Sequence, residues 1–190
     1  MSAVIGLKKA SEEIRSLDQK TKRNMARAIN TATRKVRTQG SRDIRDEVRL
    51  PAGYVNQHLK VAKQANAGSL VSIIRATSRP VMLARYGAKP ITKAAPGAKG
   101  NPSVGVGAGR KQVGVSVHVG RGQQRKRMPG ALLIRLSGGN LGVAMRTAEG
   151  LEVKYGPSVA QIFNNTREEL IDSATDSVMA EFHRLTKARV

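Results

Sequence analysis

The chain has no cysteine. That removes disulfides, thiolate metal sites and a cysteine nucleophile, and it leaves the redox compartment open. Tryptophan is absent too, and aromatic residues make up 3% of the 190 positions, so few side chains each deliver a large buried area. Hydrophobic residues reach only 39%, and the expected core is thin, of a kind that gains stability from partner subunits. No window approaches the roughly 18 uninterrupted apolar residues of a membrane span. The opening MSAVIGLKKASEEI lacks the apolar core of a signal peptide. The expectation is a soluble protein that does not engage a membrane and is not secreted by that route.

The most informative absence is of negative charge. Between Val48 and Ala148 there is no Asp or Glu, while 17 Lys or Arg fall from Arg49 to Arg146. The acids stand in the flanks: Glu12, Glu13, Asp18, Asp43, Asp46 and Glu47 before this stretch, and seven from Glu149 to Glu181 after it. The net charge is +21. A long run of uncompensated cations repels itself and folds more easily beside a polyanion, or else spread over a wide, solvated surface. Base-reading modules stack bases on aromatics, and the five here are Tyr54, Tyr86, Tyr155, Phe163 and Phe182, the last two at core positions of a helical pattern. Sequence-independent contact with duplex phosphates needs only Lys and Arg, and that is what the chain offers.

Little here carries catalysis. The central segment has no carboxylate, and His58, His118 and His183 fall in three different predicted elements with no metal-ligand or triad spacing. His118, on a strand beside valines, reads as an ordinary surface or partly buried residue. The GVGAG run at 105–109 lacks the following helix and the acidic residue of a dinucleotide fingerprint. No enzyme, catalytic residue, metal or cofactor is expected.

Periodicity orders the chain as helix, sheet, helix. Leu7, Ala10, Ile14, Leu17, Met25, Ala28, Ile29, Ala32 and Val36 predict one long amphipathic helix over 7–39, bent near Thr21. Gly40 interrupts the pattern, Ile44 and Val48 extend it, and Leu50-Pro51 ends it. A short helix is expected from Tyr54 to Lys60, and strands at 69–77 and 81–83. Residues 87–111, rich in Gly, Ala, Pro and Lys, read as a flexible basic loop. VGVSVHV at 113–119 alternates strictly and is the clearest strand. Strands at 131–136 and 141–145 flank the turn signal Ser137-Gly138-Gly139-Asn140, and 152–155 adds an edge. Between two of these strands lies a second cationic loop, Arg121 to Arg127. Ser158 with Gln161 fits a capping box opening a long C-terminal helix. The fold class is α+β: long N- and C-terminal helices packed on a small mixed, mostly antiparallel sheet, with long basic loops. A single domain over 1–190 is expected, with a helical region at 1–50, a basic β-rich region at 51–157 and the C-terminal helix at 158–190.

The order of these features resembles the minor tail protein Z family of lambda-like tailed phages and prophages. The resemblance rests on KRNMARAINTATRKVRTQGSRDIRDEV, LPAGYVNQHLKV, SLVSIIRATSRPVMLARYG, KRMPGALLIRL and VKYGPSVAQIF, in that order. Its most specific pieces are Tyr155-Gly156-Pro157-Ser158-Val159 and the RAINTATRKVRTQ helix. One departure is Leu132, where the family tends to place an aromatic after Pro-Gly-Ala. The resemblance implies a virion structural protein: a tail completion or head–tail joining component in the neck, at the head-proximal end of the tail. It implies a homo-oligomeric ring, commonly sixfold, around the DNA channel, with other phage neck and tail proteins as partners. The location implied is the virion, reached from the host cytoplasm during assembly. On this reading, Lys89, Lys93, Lys99, Arg110, Lys111, Arg121, Arg125, Lys126 and Arg127 contact duplex DNA without sequence preference, or a neighbouring ring. The alternative is a free, sequence-independent DNA- or RNA-binding protein.

Overall fold

A computed structural model describes residues 18–187. They separate into two compact units. One takes the chain up to Gly40, residues 59–75 and the chain from Thr166; the other takes 41–58 and 76–165. The boundary falls inside the first helix, α1 (Gln19–Glu47).

In the first unit, Asp18 caps α1: its carboxylate accepts the Thr21 amide at 2.6 Å. That bond holds the Asp18 carboxyl below the usual carboxylate range. The expected helix portion at 7–17, and the bend's N-terminal side, lie outside the described residues. Ala26, Ala28 and Ala32 are buried, so this face of α1 meets its neighbours through short side chains. Asn30 clasps the backbone of Ala65, donating to its carbonyl and accepting from its amide, both at 2.8 Å. Arg37 Nε donates to the Leu59 carbonyl at 3.1 Å. Those carbonyls belong to the segment carrying β1 (Leu59–Lys63), which pairs with β2 (Ile73–Ala76).

Contrary to the expected interruption, Gly40 does not stop α1. Ile44 (fully buried) and Val48 continue the apolar stripe, and the packing of that stripe outweighs the roughly 1 kcal/mol propensity cost of one helical glycine. The helix ends at Glu47, where Val48 bridges to Gly120, ahead of the expected stop at Leu50-Pro51, and α2 (Ala52–His58) follows.

The second unit holds most of the strands. β3 (Val81–Met82), β7 (Leu132–Arg135), β8 (Leu141–Thr147) and β9 (Gly150–Gly156) make a four-stranded sheet in the order β3-β9-β8-β7. β4 (Lys89–Ala94), β5 (Arg110–Val117) and β6 (Lys126–Pro129) make another, β4-β5-β6. All pairs in these two sheets are antiparallel. The single small sheet expected from sequence is therefore three sheets among the described residues. The 152–155 segment is not an edge, because β9 takes β3 on one side and β8 on the other.

The reading of 87–111 as loop also changes. β4 pairs along its whole length with β5, and the chain between them folds back on itself. Asn101 and Val106 exchange both backbone bonds, at 2.7 and 3.0 Å, while Val104 and Val106 are buried. Gly100 makes this possible: a Cβ there would lie 2.3 Å from the Gly107 carbonyl oxygen. The composition is loop-like because close backbone approach needs glycine.

Val115 and Val117 are buried, in keeping with the alternation read from VGVSVHV. A bulge between Ile91 and Thr92 shifts the register. The C-terminal helix is two helices, α3 (Val159–Asn165) and α4 (Arg167–Lys187), with the break at Thr166; residues 188–190 lie outside the described part. The fold is α+β, with long helices toward both ends of the chain and antiparallel sheets between.

Candidate basic surface and the tyrosine-glycine-proline-serine turn

All nine cations singled out from sequence lie in the second unit. Lys89 and Lys93 are on β4, Arg110 and Lys111 on β5, Lys126 and Arg127 on β6, Lys99 in the arm between β4 and β5, and Arg121 and Arg125 in the turn between β5 and β6. Register brings several together. Lys93 stands directly opposite Lys111, and Lys89, Ser116 and Arg127 form one row across the three strands. Side chains directly opposite on paired strands share a face, so two exposed lysines are held side by side, an arrangement that is destabilising without an anion nearby.

The expected loop from Arg121 to Arg127 ends early, because Lys126 and Arg127 pair with β5 as part of β6, and the turn that remains is less free than its composition implies. Arg125 Nη2 donates to the Gly87 carbonyl at 2.7 Å and the Ser116 carbonyl at 2.9 Å, so this guanidinium fastens the turn to β5 and to the chain just before β4. Arg121 Nη1 donates to Asp46 Oδ1 at 2.6 Å and to the Arg45 carbonyl at 3.3 Å, covering the end of α1. Arg110 lies against Thr92, with Nε donating to Oγ1 at 2.8 Å. Lys89, Lys93, Lys99, Lys111, Lys126 and Arg127 are exposed.

Two arginines passed over in the sequence reading join this surface. The end of α1 is stitched to the chain after β5: Arg49 donates its amide to the Val119 carbonyl at 2.9 Å, and Arg121 donates its own to the Glu47 carbonyl at 3.0 Å. The result is a cavity of about 320 Å³ lined by Arg45, Arg49, Leu50, Ala52 and Arg121. Arg49 Nη1 lies 2.8 Å from His118 Nδ1. A guanidinium only donates, so Nδ1 accepts and the ring proton sits on Nε2, which is buried without a hydrogen-bond partner among the described residues. In sequence, Arg45 and Arg49 are camouflaged by Asp43, Asp46 and Glu47. No local signal pairs them: Arg45 is on the last turn of α1 and Arg49 lies beyond its end, and the contact of that end with the chain after β5 brings both to the cavity.

The motif Tyr155-Gly156-Pro157-Ser158 is placed beside β3, where Met82 pairs with Tyr155 and Val81 with Gly156. Tyr86 is fully buried, and its hydroxyl donates to the Pro157 carbonyl at 2.6 Å. Burial pushes that phenol well above its ordinary value, so it stays a donor. A Cβ on Gly156 would lie 2.6 Å from Tyr86 Cε2, so only glycine leaves room for the ring. Ser158 Oγ accepts the Gln161 amide at 3.1 Å, and Gln161 Oε1 accepts the Ser158 amide at 2.8 Å: the expected capping box closes on α3. Gly156, Pro157 and Ser158 thus lock the turn into α3, while Tyr155 is 55% exposed.

The model of the prophage minor tail protein Z family matches residues 4–188. The chain belongs to that family. As a minor tail protein Z family member it is a structural component of a phage tail, which places it in the virion. Comparison with curated proteins and with solved structures found no match. Among the described residues no three His, Asp or Glu side chains gather in a group able to hold a metal ion. No described helix is long and apolar enough to cross a membrane.

Proposed function

We propose that this minor tail protein Z family member is the tail completion or head–tail joining component at the head-proximal end of the tail. It forms a neck ring, sixfold in copy number, around the DNA channel, and turns the β4-β5-β6 surface toward duplex DNA. The observation that carries the reading is the pairing of Lys93 with Lys111, on the same three strands as a separate row holding Lys89 and Arg127, in a segment without a single carboxylate. Cross-strand cations repel one another, and a ring multiplies a +21 chain by its copy number. A phosphate backbone running past the surface removes that repulsion and releases counterions.

Charge reversal at Lys93 and Lys111 tests it. Phage carrying Lys93→Glu and Lys111→Glu should assemble tails of normal length that sediment normally, yet lose head joining or DNA passage, read as plaque-forming units per particle. Wild-type infectivity would overturn the proposal. Infective tails assembled without the chain, together with tight duplex retardation by the isolated monomer, would favour a free nucleic-acid-binding protein instead.

A further inference from the structure

We infer that the cavity formed by Arg45, Arg49 and Arg121 is a seat for one phosphodiester of the duplex backbone. The inference rests on the proposed DNA contact and assigns it a defined place, at Arg121 together with Arg45 and Arg49. Three guanidinia line a cavity of about 320 Å³, and its remaining lining, Leu50 and Ala52, carries no acid. Each guanidinium is pinned by one part of its fork. Arg45 Nε donates to the Ser41 carbonyl at 2.9 Å, Arg49 Nη1 contacts His118 Nδ1, and Arg121 Nη1 is held by Asp46. An arginine carries five N–H donors, so each keeps several for a ligand while its position is already fixed. Fixed forks lose little entropy on binding and match the peripheral oxygens of a phosphate bidentately.

Charge balance points the same way. Asp46 neutralises one of the three cations, and the carbonyl end of α1 offsets roughly half a charge more. A net positive cavity remains, matched to a monoanion. A phosphodiester is favoured over a protein carboxylate because the cavity sits in the unit that carries the acid-free segment and all nine cations of the strand surface. A backbone repeating its charge can occupy cavity and surface together.

The test uses the full chain and a fluorescein-labelled duplex of mixed sequence, with anisotropy titrations over a range of KCl concentrations. One phosphate shared by three arginines makes a specific demand. The single variant Arg49→Ala and the triple variant Arg45→Ala, Arg49→Ala, Arg121→Ala should each lower the slope of log K against log salt by about one, the value for a single lost phosphate contact. Replacing all three by lysine should keep the slope but weaken binding severalfold, because lysine keeps the charge and loses the fork. A control that removes three exposed cations elsewhere, Arg42→Ala, Arg79→Ala and Arg146→Ala, separates a local seat from the general field.

A slope reduced by about three in the triple variant would mean three independent contacts and overturn the shared seat. A triple variant no weaker than the control would overturn the seat while leaving the strand surface as the DNA contact. If the variants keep DNA binding and lose self-association, the cavity takes a neighbour's carboxylate. If the wild-type chain does not bind duplex DNA, both this inference and the DNA contact proposed above fall. Should the triple alanine variant fail to fold, Arg49→Ala and the lysine variant carry the test alone, since Arg49 takes no part in the Asp46 ion pair.

Discussion

Replacing Gly156 by alanine isolates the contact that holds the motif turn. The new methyl carbon would stand 2.6 Å from Tyr86 Cε2 and 3.2 Å from Cδ2 and Cζ, against the roughly 3.5–4.0 Å at which carbons pack without repulsion. Tyr86 has nowhere to retreat. Its side chain is fully buried, its hydroxyl is tied to the Pro157 carbonyl, and its own carbonyl accepts the His118 amide at 2.9 Å. Relief must come from the backbone of β9 moving away from β3, at the cost of their pairing. Overpacking of this kind costs about 1–3 kcal/mol, which for 190 residues lowers Tm by about 2–12 °C. Scanning calorimetry or thermal circular dichroism reads the loss. Truncation of the ring in a Tyr86→Leu background should make Gly156→Ala far less costly, giving a coupling of about 1 kcal/mol or more in a double-mutant cycle. A Tm within 1 °C of wild type for Gly156→Ala alone, on the scale of about 2–4 °C per kcal/mol, would refute the claim that the glycine makes room for the ring.

Three other outcomes follow from the same geometry. Ser158→Ala removes a buried cap and should cost about 1 kcal/mol, while Ser158→Thr recovers most of it; urea denaturation distinguishes them, and equal stability of all three would refute the capping role. Arg125→Ala strands the Gly87 and Ser116 carbonyls and should destabilise by about 1–2 kcal/mol, whereas exposed Lys126→Ala stays within about 0.5 kcal/mol. Equal effects at 125 and 126 would mean that the whole turn is solvated. The Glu181 carboxyl is held below the usual carboxylate range by its hydrogen bond from Arg184 in α4. Its folded value is thus below its unfolded one, so this contact supports the helix fully above the unfolded value and is lost as pH falls through the folded one. An NMR titration should find Glu181 titrating below an ordinary glutamate in wild type and returning to normal in Arg184→Ala; no difference between the two would refute the pairing.

Legibility divided along physical lines. Helix periodicity and the capping box depend on residues close in sequence: the Ser158–Gln161 pair forms where it is read, and the first helix is present over the described part of its expected range but runs on through Gly40 to Glu47. The 87–111 segment was misread because its strand has few apolar residues; β4 is half-buried at Pro90, Ile91 and Thr92 and owes its order to the ladder with β5, a partner about 20 residues away. The candidate surface was legible as charge and illegible as geometry. Nothing local shows that Lys93 faces Lys111, that Arg125 is a fastener, or that Arg121 meets Arg45 and Arg49 at one cavity.

The sequence by itself determined the α+β class, the acid-free basic middle, the absence of thiol chemistry and the family, because composition and short-range periodicity survive any arrangement in space. Only the tertiary structure decided which cations are committed to carbonyls and which stand free for an anion. Backbone carbonyls have no signature in the sequence of side chains, and a guanidinium becomes structural or available according to which of them the strand register brings within 3 Å.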